Sequence, residues 1–226
     1  MTVAEMREHP EHVEDLPQKG GGSRFDESTH PPLALKYFPK NGRILECGPV
    51  FGMFTKFLQD NGYEDIHVLD FVDILHFPDK SKITFKEIDF NFETIPYQDN
   101  FFNGIAAWGI GEHLENPFYF IRETYRVLDK KNGVFLFSLP NVFHIMSRLV
   151  FLKNGSFPRW NTLNNHISIL PRGIIEKTVF RYFDVLEIKY IKPGIHVRFL
   201  NVFAKWLPAN EWFGDYVVYI LKPKSS

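Results

Sequence analysis

Four stretches of the chain carry residue types suited to holding a ligand and acting on it. Glu46-Cys47-Gly48-Pro49-Val50-Phe51-Gly52 lies between a β-rich run and a helical pattern. Glycines at a strand-to-helix turn let backbone pass close to a ligand and adopt positive φ. In an α/β sheet, ligands bind at the carboxyl ends of the strands, where such a turn must lie. Asp70 ends the next β-rich run, eighteen residues past Gly52. An acid at about that distance can accept hydrogen bonds from both hydroxyls of a ribose. Asp89, in Glu87-Ile88-Asp89-Phe90, ends a third run, where a carboxylate can accept from an exocyclic amine. The fourth stretch, Trp108-Gly109-Ile110-Gly111-Glu112-His113-Leu114-Glu115-Asn116-Pro117, follows a fourth run. The first three also have plainer readings: a tight strand-to-helix turn, a strand-end Asp with Asp73 as its neighbour and competitor, and a turn Asp.

The elements that must position these residues follow from the apolar pattern. Arg43–Cys47, Ile66–Leu69, Ile83–Ile88, Gly104–Trp108 and Val134–Ser138 read as strands. Met53–Asn61, with Phe54, Phe57 and Leu58 on one face and Gly62 as its stop, reads as a helix. A second helix starts at Asn116-Pro117, where Asn can cap free N–H groups and Pro tolerates the first position. A third runs from Pro171 to Phe180, and two last strands, Phe183–Ile191 and Tyr216–Leu221, follow with no helix between them. Alternating strands and helices predict βαβ units and a mainly parallel sheet. The non-alternating apolar strands predict that both faces are covered. The two late strands predict an antiparallel pair at one edge.

Composition narrows the classes. The 226 residues fit one domain, and 26 basic against 27 acidic residues give a net charge of −1. A nucleic-acid binder would show a basic excess. One cysteine cannot form an internal disulfide, which favours a reducing compartment and a cytoplasmic location. Residues 1–24 hold seven acidic or basic residues before a Gly-rich spot at Gly20–Gly22, with no apolar core stretch, and read as a mobile arm. Residues 25–226 then form the single domain. No stretch is long enough to span a membrane, although Val142–Leu152 can form an amphipathic surface helix. His9, His12 and His30 read as solvated, and the spacing of Asp, His and Cys predicts no metal site.

The fourth stretch, together with Tyr125-Arg126-Val127-Leu128, Asn132-Gly133 and Ser138-Leu139-Pro140-Asn141, resembles the class I S-adenosylmethionine-dependent methyltransferases, of the methyltransferase domain 11/23 type. In that family an acidic, glycine-rich turn precedes an acid at the end of strand two. An EHL-type segment then follows strand four, and an RVL-type helix end precedes a Gly-led strand five. The resemblance covers roughly residues 40–192. A closer similarity, to the MetW-like branch and to branches that methylate sugars or quinone precursors, runs through Leu139-Pro140-Asn141, Arg148-Leu149, Phe151-Leu152, Gly155, Pro158, Asn161-Thr162 and Asn165-His166.

The resemblance implies a Rossmann-like, seven-stranded, mostly parallel α/β sheet with helices on both faces and an antiparallel edge strand. It implies an enzyme that binds S-adenosyl-L-methionine and leaves S-adenosyl-L-homocysteine after methylating a small-molecule acceptor, with a hydroxyl oxygen expected. Glu46, Gly48 and Gly52 match the turn that holds the methionine moiety. Asp70 matches the ribose acid, with Phe71 flanking the adenine. Asp89 and Phe90 match the adenine edge, and Trp108 and Gly109 lie where the strand-four loop passes the cofactor. The family's middle glycine is Val50 here, after Pro49, and its Cβ is expected to crowd the cofactor.

A hydroxyl acceptor needs its proton removed, and His is the usual base near neutral pH. His166 and His144 rank ahead of His113, because the region after strand five supplies the acceptor pocket in this family. Each also has a structural reading, as a packing, solvent-facing or backbone-bonded residue. Residues 141–170 form the expected cap over the acceptor. Its Phe143, Met146, Phe151, Phe157 and Trp160, with Arg148, Lys153 and Arg159, are read in three ways: core packing, an acceptor pocket with basic anchors, or contact with a membrane surface or partner. The chain is expected to be a monomer or homodimer. A non-catalytic protein of the same fold, acting as a partner-binding module, is the alternative. A nicotinamide enzyme is disfavoured because the Gly48–Gly52 turn lacks the Gly-x-Gly-x-x-Gly pattern.

Overall fold

The computed structural model describes residues 28–161, 165–191 and 206–225. The expected arm at 1–24, and Thr162 of the cap, lie outside the described residues.

Seven strands form one sheet in the order β3-β2-β1-β4-β5-β7-β6. They are β1 (Ile44–Cys47), β2 (Ile66–Asp70), β3 (Thr84–Glu87), β4 (Gly104–Trp108), β5 (Val134–Pro140), β6 (Phe183–Ile191) and β7 (Tyr216–Pro223). Strands β1 to β5 pair in parallel. Strand β7 runs antiparallel to both β5 and β6, so the two late strands make the antiparallel edge that their lack of an intervening helix predicts. Among the described residues, five α-helices accompany the sheet: α1 (His30–Tyr37), α2 (Met53–Asp60), α3 (Pro117–Val127), α4 (Ile145–Asn154) and α5 (Arg172–Tyr182).

The apolar runs read as uninterrupted because alternate residues enter two different cores. Leu45, Cys47, Ile105, Ala107, Phe135 and Phe137 face one side, where Phe120 and Ile121 of α3 and Ile175 and Val179 of α5 cover them. Ile44, Val68, Ala106, Leu136 and Ile220 face the other, under Leu33 of α1 and Phe54 and Leu58 of α2. Burial on both faces removes the polar alternation of a half-exposed strand. At the edge, β3 loses this cover, and all four of its residues are exposed or half-buried.

Local signals place the helix ends. The Asn116 side chain accepts from Tyr119 N at 3.1 Å, with Pro117 at the first helical position of α3. α5 extends two residues past the expected Phe180 and passes directly into β6 at Phe183. α4 is the surface helix expected in Val142–Leu152. Only Ser147 is buried along it, and Leu149, Phe151 and Leu152 are exposed. Among the described residues, no helix is long and apolar enough to cross a membrane.

Gly104 opens β4 where the sheet passes beneath α1. A Cβ there would lie 2.6 Å from Phe38 Cδ1 and 2.9 Å from Ile44 Cδ1. Gly104→Ala is therefore expected to cost about 1–3 kcal/mol through overpacking. Gly173→Ala, in α5 with open space around it, is expected to be neutral or slightly stabilising. Urea unfolding midpoints of the two variants check the contrast.

Candidate active site

The strand order changes direction between β1 and β4. From β1 the chain winds outward through β2 to β3, then returns to β4 on the opposite flank. The loops after β1 and β4 therefore diverge and leave a crevice, the place where open α/β sheets bind ligands. The loop after β1 is the Gly48–Gly52 turn. The loop after β4 carries Gly109, Ile110 and a 3₁₀ turn at Gly111–His113. The two loops touch: a Cβ on Gly48 would sit 3.0 Å from Ile110 Cδ1.

The turn keeps a glycine-like path at three positions. Gly48 has φ 68°, Gly52 has φ 82°, and Val50, a β-branched residue, has φ 55°. That conformation is a genuine outlier for Val. At Val50 the backbone therefore keeps the left-handed turn, and the β-branched side chain bears a steric cost. Strain of this kind costs on the order of 1–3 kcal/mol.

Two acids converge beneath the turn. Asp70 ends β2, accepting from Phe71 N at 2.8 Å and from Val50 N at 3.4 Å. Burial pushes its carboxyl up to about 7, against the lowering effect of those two N–H groups. Glu46 accepts a hydrogen bond from the Thr55 hydroxyl of α2. Burial raises it to about 8, and the nearby Asp70 charge adds to the rise. Cys47, between Glu46 and Gly48, is buried, and burial pushes its thiol well up. An acid pair of this kind, with two backbone N–H groups in reach, suits a ligand that donates from hydroxyl or ammonium groups.

The remaining expected cofactor positions divide between crevice and core. Asp89 accepts from Asn91 N at 3.0 Å, while its own N–H donates to Glu93 Oε2 at 2.6 Å. The Phe90 ring is buried edge-on to Phe120, so this residue can present only its backbone to a ligand. Phe71 is half-buried beside Asp70. Trp108 stacks on His30 at 3.9 Å between ring centroids and meets Phe54 edge-on. Its indole N–H is buried with no hydrogen-bond partner among the described residues. His30, expected to be solvated, is buried at 1% exposure: α1 carries it into the Trp108 stack, where an aromatic partner replaces water.

The three histidines separate into two environments. His144 is buried at the N-terminus of α4, where its Nδ1 accepts from Met146 N at 3.1 Å and so caps the helix. His113 and His166 meet edge to face, with ring centroids 4.7 Å apart. Glu112, 1% exposed, completes a cluster in which one donor atom of each residue lies within 4.8 Å of the others. Glu112 is not among the residues expected from the sequence, although it adjoins His113 in the segment after β4. Its signal was an acid directly before a histidine at a strand's carboxyl end.

The cap positions this cluster. Ile167 N and Ser168 N donate to Glu112 O at 2.9 and 3.0 Å, and Ser168 Oγ donates to Leu114 O at 2.6 Å. Trp160 Nε1 donates to Ser168 O at 2.9 Å, and its ring meets His166. Phe157 links Trp160 to Phe151 of α4. Of the basic residues considered as anchors, Arg148 pairs with Glu211 at 2.7 Å and Arg159 pairs with Asp215, so both are engaged by acids of the segment before β7. Lys153 is exposed.

Two outcomes follow from the turn. Val50→Gly is expected to stabilise the chain by about 1 kcal/mol, because strain relief outweighs the added backbone entropy. A melting temperature raised by about 2–4 °C checks it. Glu46 has a higher pKa folded than its ordinary 4.5, so its contribution to stability is complete below about pH 4.5 and is lost as pH rises through about 8. Glu46→Gln is therefore expected to match wild type near pH 4 and to melt a few degrees above it near pH 9, in paired thermal scans.

Comparison with known proteins agrees with this geometry. A family profile described as a methyltransferase domain matches residues 26–184. No curated protein matches the chain. Among solved structures, an S-adenosylmethionine-dependent methyltransferase from Archaeoglobus fulgidus is similar at 15% identity and TM-score 0.62, over 89% of this chain and 96% of its own. One from Mesorhizobium loti is similar at 13% identity and TM-score 0.59, over 85% and 96%. A chain of the Haloferax volcanii complex between the Trm112 methyltransferase activator and a methyltransferase is similar at 11% identity and TM-score 0.66, over 100% and 99%. With the strand order, the switch-point turn and a matched domain spanning most of its length, the chain belongs to the methyltransferase-domain family of class I S-adenosylmethionine-dependent methyltransferases.

Proposed function

We propose that this protein transfers a methyl group from S-adenosyl-L-methionine to a hydroxyl oxygen of a small-molecule acceptor. The observation that carries this reading is the pairing, at one sheet edge, of a buried-acid glycine turn with the Glu112–His113–His166 cluster. The crevice suits the cofactor on two counts: the close backbone path at Gly48 and the Asp70 carboxylate. When bound, the cofactor supplies a methyl on a sulfonium whose departing thioether is neutral, so the chain's main tasks are alignment and acceptor activation.

Asp70 would hold the ribose hydroxyls, with Phe71 and the backbone at Asp89 and Phe90 along the adenine. Glu46, Gly48 and Gly52 would form the turn against the methionine moiety, and Trp108 and Gly109 its opposite wall. Acceptor activation falls to His113 and His166 with Glu112, while His144 holds the start of α4. The cap over residues 141–170, lined by Trp160, supplies an aromatic wall that suits a ring-shaped acceptor such as a sugar or quinone precursor. Ionised Asp70 accepts hydroxyl hydrogen bonds better than its neutral form, so cofactor affinity is expected to increase as pH rises through about 7.

The second reading, a partner-binding module, draws on Val50. A family turn that carries strain at its middle position suits a chain in which cofactor binding is weak or needs a partner, and the Haloferax volcanii relative is found in a complex with an activator. Calorimetry with S-adenosyl-L-homocysteine separates the two. The enzyme reading expects saturable binding that Asp70→Ala weakens at least about a hundredfold, the loss of two buried hydrogen bonds. No binding of either cofactor form to wild type favours the module.

A further inference from the structure

We infer that Glu112, His113 and His166 form a site for one first-row divalent metal ion. The inference deepens the proposed function, on which the ion's role rests; the site itself rests on the side chains alone.

The three donor atoms lie within 4.8 Å of one another. Ligands at about 2.0–2.1 Å from an ion lie about 3–4 Å apart, so side-chain adjustment of an ångström or less closes the site. The donors are held in advance. Glu112 and His113 are consecutive in the short 3₁₀ turn after β4. His166 arrives from 53 residues further along the chain, and the hydrogen bonds from Ile167 and Ser168 to Glu112 O clamp its strap to that same turn. His113 Nδ1 lies 3.2 Å from Asn165 O. Donation to that carbonyl fixes the orientation of the ring, as hydrogen bonds to carbonyls do for histidine ligands. Trp160 packs edge-on against His166 and limits its rotation.

Two imidazoles and one carboxylate select zinc, cobalt, manganese or iron(II) over magnesium and calcium, which take oxygen ligands. Three protein ligands leave positions open, the mark of a catalytic rather than a structural site. The cluster begins two residues after Ile110, which touches the cofactor turn. An acceptor hydroxyl coordinated there would release its proton to solvent more readily, as metal-bound water does. The metal thereby takes over the activation that a free imidazole would otherwise provide.

The test titrates the metal-free full chain with Co²⁺, followed by its visible absorption and by calorimetry, with Zn²⁺ as competitor. One equivalent is expected, displaced by Zn²⁺, with affinity reduced at least about tenfold in His166→Gln and in Glu112→Gln. Because a variant can lose its fold, a wild-type measurement stands beside it: pulsed electron paramagnetic resonance of the Cu²⁺-loaded chain is expected to show two coordinated imidazole nitrogens. Absence of saturable binding, or unchanged affinity in both variants as for capture by His9 and His12, overturns the inference. S-adenosyl-L-homocysteine binding to the metal-free chain is read separately. If it persists without metal binding, only the ion is refuted; if it fails while Co²⁺ binds, the methyltransferase reading fails and the metal site stands.

Discussion

Strands β1 and β4 pair in parallel from Ile44 against Gly104 to Cys47 against Ala107. For that pairing to form, the Gly104 backbone has to pass directly under Phe38 and Ile44, where no side chain fits. The pairing brings two loops from distant parts of the chain to one edge of the sheet and points them apart. Gly48 and Ile110 then meet at the floor of the crevice, and the acids and histidines on either side inherit their separation from the strands. Misplacing this pair would scatter every group that the site needs, even with all other strands formed.

The chemistry of the two walls differs because their surroundings differ. Glu46 and Asp70 lie at strand ends below a turn, shielded from water and supplied with few hydrogen-bond donors, so burial raises both. A ligand that donates hydrogen bonds would return part of the solvation those acids lose on folding. On the other wall the cap supplies the closure. The strap at 165–168 bonds to the backbone of the 3₁₀ turn and brings an imidazole with it. The strap is therefore a structural part of the candidate site, while Leu149, Phe151 and Leu152 of α4 are exposed.

Val50 shows how a departure from family pattern is absorbed. A valine at φ 55° is costly, and the turn that holds it is tightly enclosed: a Cβ on Gly52 would lie 2.7 Å from Pro78 Cδ and 2.8 Å from Leu75 Cδ2. The surrounding packing over-determines the backbone path, and the local conformation follows the fold instead of the residue's own preference.

The strands, their order of types and most helix starts were legible in the sequence, because burial on two faces and capping leave local signatures. Gly104–Trp108 and Phe183–Ile191 have the bounds that their composition predicts, and Asn116-Pro117 begins α3 as its chemistry requires. The acidic turn and Asp70 were legible too, since their spacing reflects a strand, a turn and a helix in succession. What local signals could not carry is which distant groups meet. His30 resembles any polar residue near a Gly-rich stretch until α1 stacks it on Trp108. Arg148 and Arg159 resemble free cations until the segment before β7 returns with Glu211 and Asp215. His113 and His166 are unrelated along the chain, and only the strap that closes over β4 sets them edge to edge beside Glu112. The sequence by itself determined a two-faced parallel sheet with an acidic glycine turn at its carboxyl edge, because those depend on nearest-neighbour periodicity. The tertiary structure alone decided the second half of the site, because that half is made by loop closure across some fifty residues, which no local pattern records.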